Sequence, residues 1–211
     1  MSREPLAIDL NGLFALATAV SGRRLIAIVG APGSGKSTVA EGLIAQVNAV
    51  HPGGAAILPM DGYHFDDAVL DARGLRARKG APETFDVGGL RHMLSRLKLN
   101  DEDEIAVPVF DRAIEISRSA ARLIPKAVRV VVVEGNYLLL GLPPWSHLHV
   151  AFDATVMINV SEEVLRRRLT ERWESYGLSP AEVKAKVEKN DLVNGRFVMA
   201  NSATSNFVLH G

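Results

Sequence analysis

The run Gly30-Ala31-Pro32-Gly33-Ser34-Gly35-Lys36-Ser37-Thr38 carries the spacing G-x-x-x-x-G-K-[ST]. Glycines at those positions let successive backbone N–H groups turn inward around a polyphosphate, and a following helix N-terminus adds partial positive charge. The nine residues therefore read as a cradle for the phosphates of a nucleotide. Lys36 is placed to bind the β- and γ-phosphates, and the Ser37 hydroxyl to ligate Mg²⁺. The flanks agree: Leu25–Val29 before the loop reads as a buried strand, and Thr38–Val47 after it as a helix.

Two carboxylates end apolar runs. Asp61 follows Ala55-Ala56-Ile57-Leu58-Pro59-Met60. An acid at the end of the strand after the loop faces the γ-phosphate, where it can accept the proton of an attacking hydroxyl. The plainer alternative is an Asp61-Gly62 turn. Glu134 ends Val130-Val131-Val132-Val133 and can hold Mg²⁺ directly or through water. Its alternative is a strand-end acid in a polar loop.

From Ser161, a good N-cap, to Arg172 the chain reads as a helix dense in arginine. Arg168 and Arg172 lie four apart on one face, and planar guanidinium groups suit the charge on a moving phosphoryl group. Arg166 and Arg167 fit a solvated face laced with Glu–Arg pairs. Gly177 ends that helix and Ser179-Pro180-Ala181-Glu182 starts another, so residues 161–190 read as a hinged lid.

Residues 61–89 mix charge, Gly and Pro, and read as a long irregular insertion with one short helix. Long ordered loops are usually functional. Tyr63, His64, Phe85 and Asp86 can clamp a small polar acceptor there, with Asp61 at the reacting end. Arg73, Arg76, Arg78 and Lys79 suit either an anionic acceptor or a solvated loop. Phe110-Asp111-Arg112 and Ser117-Arg118 can line the same pocket, and Asn136 follows Glu134-Gly135 at its edge.

The elements that must position these residues alternate between strand and helix patterns. Val128–Val133 and Ala154–Val160 add central strands, Gly88–Leu99 a helix, and Asn206–Leu209 a short last strand. Ile105–Phe110 reads as an edge strand because Pro108 cannot donate to a ladder. Such alternation implies an α/β fold, a doubly wound parallel sheet with helices on both faces. Ligands then sit outside the carboxyl ends of the strands, where Asp61, Glu134 and the loop meet. The simplest organisation is one domain over residues 1–211.

Lys+Arg and Asp+Glu balance at 24 each, which speaks against nucleic acid or a membrane as partner. Cysteine is absent, which excludes disulfides, thiolate metal sites and a cysteine nucleophile, and fits a reducing cytoplasm. Leu10–Val20 is apolar and Ala17-Thr18-Ala19 resembles a signal-peptidase site, but Glu4 and Asp9 stand where positive charge is expected. Leu6, Leu10, Leu13, Phe14, Ala17 and Val20 share a helical face, so a helix packing on the sheet is expected. No apolar run approaches the roughly 20 residues of a membrane helix.

Together these residues resemble the phosphate-loop (P-loop) kinases grouped with uridine kinase, phosphoribulokinase and bacterial pantothenate kinase, from the loop through the Arg-rich helix. Asp61-Gly62-Tyr63-His64-Phe65 is similar to the D-[SG]-[FY]-[HY] element whose aspartate is the base. Phe85-Asp86 matches part of a further element. Val107-Pro108-Val109-Phe110-Asp111 with Ser117-Arg118 is similar to the acceptor-side hairpin, and Glu134-Gly135 to the E-G ending the central strand. The resemblance implies a P-loop NTPase fold, ATP and Mg²⁺ as cofactors, and a small-molecule acceptor. It also implies an acceptor-side insertion and hairpin over residues 61–125 and lid arginines at Arg168 and Arg172. Arg73-Gly74-Leu75, the run Arg78–Asp86 and Glu134–Leu139 resemble one branch, described as nucleoside/nucleotide kinase-like or fructose-transport-associated sugar kinases. A fructose-like sugar is the first acceptor implied, followed by pantothenate, a nucleoside or a phosphorylated sugar. Asn136-Tyr137 replaces what uridine kinases carry after E-G. An ATPase module without a metabolite acceptor stays open, as does a homodimer.

Overall fold

The computed structural model describes residues 4–19 and 22–211. Along the chain come β1 (Leu6–Ala7), α1 (Leu10–Thr18), β2 (Arg24–Gly30), α2 (Lys36–Val50), β3 (Ala55–Pro59), α3 (Asp67–Ala72) and α4 (Val87–Leu99). Then follow β4 (Glu104–Asp111), β5 (Ile116–Pro125), β6 (Val130–Gly135), β7 (Ala154–Asn159), α5 (Glu162–Ser175), α6 (Pro180–Lys186), α7 (Leu192–Asn201) and β8 (Phe207–His210).

The β-branched runs are apolar at every position because both faces of their strands are covered. Along β2, Leu25, Ala27 and Val29 point into a core with Leu90, Leu94 and Leu97 of α4 and Val198 of α7. Ile26 and Ile28 point the other way, onto Leu13 and Ala17 of α1 and Ala40, Leu43 and Val47 of α2. β6 divides likewise, Val131 and Val133 against Val130 and Val132. The period of two along each strand thus assigns the residues to two layers of helix. The six strands run in the order β1-β8-β7-β2-β6-β3, every pairing parallel. This is the doubly wound sheet expected from the sequence.

Several elements depart from expectation. Asp9 caps α1, its carboxylate accepting the Gly12 N–H at 2.7 Å, so the helix begins at Leu10. Leu6 therefore falls in β1 rather than on the helical face, and Leu10 is exposed, while Leu13 and Ala17 are buried as expected. Val20 lies outside the described residues. The stretch 61–89 is more ordered than an irregular insertion. It holds α3 and 3-10 turns at Met60–Tyr63, Arg76–Arg78 and Pro82–Thr84 before α4 begins.

β4 leaves the main sheet and pairs antiparallel with β5 as a separate two-stranded ribbon. Its register shifts between Val107 and Val109, at Pro108, which has no N–H to give. The ribbon lies across the open edge of β3, where Arg122 Nη1 donates to the Ile57 carbonyl at 3.0 Å.

Candidate active site

The sheet register fixes the main convergence. Glu134 in β6 pairs with Ile28 on one side, two residues before the loop opens at Gly30. On the other side it pairs with Pro59, two residues before Asp61. Three strand ends therefore bring loop, Glu134 and Asp61 to one edge.

Two glycines let the backbones approach. A Cβ on Gly135 would lie 2.4 Å from Met60 Cβ, and one on Gly62 would lie 2.6 Å from the Pro108 carbonyl oxygen. Gly135 thus allows the residue before Asp61 to sit against the end of β6. Gly62 allows the ribbon to close over the Asp61 turn. In the loop, Gly33 (φ 79°) and Gly35 (φ 91°) adopt left-handed conformations that L side chains rarely take. Lys36 opens α2 directly after Gly35.

Lys36, Glu134 and Asp61 form one electrostatic group. Burial lowers the Lys36 pKa, against the pull of Glu134 and then Asp61. Burial raises the Glu134 pKa and Asp61 adds to it, while Lys36 and the neighbouring Ser37 hydroxyl act against the rise. Glu134 Oε2 is enclosed without a hydrogen-bond partner. Mg²⁺ is a hard cation that takes oxygen ligands. A hydroxyl and a carboxylate side by side, with one enclosed oxygen unsatisfied, fit such an ion. Ser34 Oγ and Asn136 Oδ1 are likewise enclosed and unpartnered.

The segment expected as a lid lies on the loop. Leu165, Leu169, Val183, Val187 and Leu192 pack with Ala31, and Leu169 meets Gly33. Arg168 Nη1 donates to the Ser34 carbonyl at 3.2 Å. Arg172 stacks 5.4 Å from the Trp173 ring centroid, and its charge is felt at Lys36. Arg166 joins Glu162 and Glu188 in the solvated pairs expected of it. Asp191, in the π-helical turn Val187–Asp191, accepts the Trp173 indole N–H at 2.6 Å, and burial raises its pKa. No pattern around Asp191 in the sequence separates it from a solvated helix acid.

On the acceptor side, His64 Nδ1 lies 2.8 Å from the Asp61 carbonyl. Its ring sits between Phe85 at 4.0 Å and Phe110 at 4.7 Å. Burial lowers the His64 pKa, so the imidazole is neutral near pH 7. Tyr63 and Phe85 are buried in the core, Tyr63 with an unpartnered Oη whose pKa burial raises. Asp86 is exposed and caps α4, accepting the Gly89 N–H at 2.8 Å. It borders a groove of about 550 Å³ that Phe65, Arg73, Phe85 and Trp145 also line. Asp111 and Arg118 bond to each other at 2.9 Å. The residue between sequence and site is Arg112: placed by its neighbours only along the hairpin, it reaches Asp61 Oδ2 at 3.1 Å.

The four cations of residues 73–79 have internal partners. Arg76 and Lys79 share Asp67, Arg78 binds Glu83 at 2.6 Å, and Arg73 stacks 4.4 Å from the Phe65 ring centroid.

A glycine-built loop opening a helix, a lysine in the field of an enclosed glutamate and a carboxylate at the neighbouring strand end define a nucleotide-dependent phosphotransferase. No family model matches the chain. A Schizosaccharomyces pombe protein named "Putative uridine kinase C227.14" is 34% identical over 194 residues, covering 89% of this chain and 83% of the relative. The "ATP-dependent kinase-like protein notR'" of Aspergillus versicolor is 31% identical over 151 residues, 67% of this chain and 88% of that one. The crystal structure of a "putative fructose transport system kinase" from Silicibacter sp. TM1040 superposes with a TM-score of 0.87 at 37% identity. It covers 96% of this chain and 99% of that chain. The chain belongs to the P-loop kinases, together with these relatives named as a uridine kinase and a fructose transport system kinase, and it is an ATP-dependent phosphotransferase. Among the described residues no helix is long and apolar enough to cross a membrane.

Proposed function

We propose that this kinase transfers the γ-phosphoryl group of ATP to a hydroxyl of a neutral, fructose-like sugar. The observation that carries the reading is the meeting of Lys36, Glu134 and Asp61 at adjacent strand ends. The loop amides of residues 30–38 and Lys36 hold the triphosphate. Ser37 and Glu134 hold Mg²⁺, which neutralises charge on the phosphate oxygens when bound. Asp61 accepts the proton of the attacking hydroxyl and orients its oxygen toward phosphorus. Arg168, on the Ser34 carbonyl, and Arg172 close over the phosphoryl group from the lid.

A neutral acceptor is favoured because the cations of residues 73–79 are engaged with Asp67, Glu83 and Phe65. An anionic acceptor would have to displace these partners before it gained a charge-assisted bond, a cost that a neutral sugar avoids. His64 and Asn136 then supply recognition, Tyr63 and Phe85 back them from the core, and Asp111 and Arg118 brace the hairpin that carries Arg112 to Asp61. The fructose-related description of the Silicibacter relative points the same way. The test is a thermal-shift panel with a non-hydrolysable ATP analogue and Mg²⁺, covering free sugars, sugar phosphates, pantothenate and nucleosides. A neutral sugar should give the largest shift beyond nucleotide alone. A larger shift with a sugar phosphate, pantothenate or a nucleoside sinks the neutral-sugar reading. A shift with nucleotide and none with any acceptor favours an ATPase module.

A further inference from the structure

Arg112 meets Asp61 from the β4–β5 ribbon. It opens the turn between β4 and β5, and that turn is braced. Asp111 Oδ1 accepts the Ala113 N–H at 3.1 Å, Arg118 Nη1 donates to Asp111 Oδ2 at 2.9 Å, and Lys79 Nζ donates to the Glu115 carbonyl. Beneath it the Gly62 backbone abuts Pro108. A fixed backbone therefore carries a guanidinium whose side chain is still 51% exposed, in contact with one carboxylate. Its charge is also felt at Lys36 and Glu134, so it lies within the electrostatic group described above.

In-line transfer forms a bond between the acceptor oxygen and the γ-phosphorus and breaks the bond from that phosphorus to the β–γ bridging oxygen. The hydroxyl proton passes to Asp61, and the bridging oxygen leaves with the electron pair on ADP. The phosphoryl group thus moves away from Lys36 and toward Asp61. A guanidinium touching Asp61 stands where that group arrives, and its planar fork matches phosphoryl oxygens. We propose that Arg112 is a further catalytic residue, exchanging Asp61 for the transferring phosphoryl group and holding it on the acceptor side, in flight and in the product. The inference rests on phosphoryl transfer at Asp61 and not on which acceptor receives it.

The test uses the full chain with Mg²⁺, ADP and aluminium fluoride, a mimic of the transferring group, with affinity read by calorimetry. Arg112→Ala should weaken capture of the ADP–aluminium fluoride complex by about 10²-fold, as for loss of one donor to developing phosphoryl charge. Affinity for Mg²⁺–ADP alone should stay unchanged. Arg112→Lys should recover part of the loss, because it keeps the charge without the fork. The loss should persist when Arg112→Ala is made in an Asp61→Asn background. If Asp61→Asn alone abolishes the capture advantage and Arg112→Ala adds nothing, Arg112 only steadies Asp61 and the proposal falls. Wild-type capture by Arg112→Ala also overturns it. Lys36→Ala must lose ADP itself on any reading of the loop, which separates failure of the nucleotide site from failure of this inference.

Discussion

Gly135→Ala should damage catalysis without touching any group that meets the substrate. The added Cβ would lie 2.4 Å from Met60 Cβ and 2.7 Å from Met60 Sδ. Carbon atoms at rest sit about 3.5–4.0 Å apart, so Met60 or the end of β6 must give by roughly 1 Å. The sulfur can swing away, but the Cβ is fixed to the backbone that leads into Asp61. Overpacking of this kind costs about 1–3 kcal/mol of stability. A misplacement of about 1 Å at the reacting end can cost about 10²-fold in rate. The variant should therefore fold with a lowered Tm, bind ATP nearly as wild type, and lose about 10²-fold in kcat. Gly42→Ala is the matched control. Gly42 lies within α2 and a Cβ there would meet nothing within 4 Å, so the change should stabilise by about 0.5–1 kcal/mol and leave kcat alone. Steady-state kinetics and thermal melts of both variants decide the matter. Wild-type kcat in Gly135→Ala would refute the idea that this glycine sets the position of Asp61.

Asp61→Asn should keep ATP binding and lower kcat by about 10²- to 10⁴-fold, since the amide cannot accept the proton; unchanged kcat with raised acceptor KM would make Asp61 a binding residue. Leu169→Ala should cost about 2–5 kcal/mol in denaturant unfolding, because Leu169 of α5 is fully buried against the loop, and a smaller loss would mean that α5 packs independently of it. Glu162 is held down to about 2 by Arg196 and then Arg166, below its ordinary 4.5. A depressed carboxylate contributes stability that is full above its unfolded value and lost as pH falls toward the folded one. The Tm advantage of wild type over Glu162→Gln should therefore be constant near neutrality and shrink from about pH 5 downward; an advantage unchanged at pH 3 would show that the Glu162 pairs add nothing.

The parts legible in the sequence are those that local chemistry decides. The loop is one, since its left-handed turns at Gly33 and Gly35 admit few other residues. The strands β2 and β6 are others, because only burial on both faces tolerates an unbroken apolar β-branched run. The capping box of Ser179 and Glu182 forms as the motif predicts. Illegible were features that depend on distant partners. β1 is two residues long and exists only because β8 pairs with it. β5 carries Ser117, Arg118 and Arg122 on a ribbon outside the main sheet, and only its Ile124 is buried, so it lacks the apolar period that marks a strand. The contact of Arg112 with Asp61 spans 51 residues, and that of Asp191 with Trp173 joins α5 to the π-helical turn before α7. Local pattern carries no record of such pairs. Pattern alone leaves the cations of residues 73–79 open to a ligand site or a solvated loop, and their pairing with Asp67 and Glu83 depends on the fold.

The fate of the γ-phosphate is the most direct test of phosphoryl transfer at Asp61. Protein is incubated with Mg²⁺ and ATP labelled at the γ-phosphorus, with and without the sugar that gives the largest thermal shift. Labelled sugar phosphate should form one for one with ADP, with little ADP in the absence of sugar and loss of the labelled product in Asp61→Asn. Label released as inorganic phosphate at the same rate with or without sugar would contradict that mechanism.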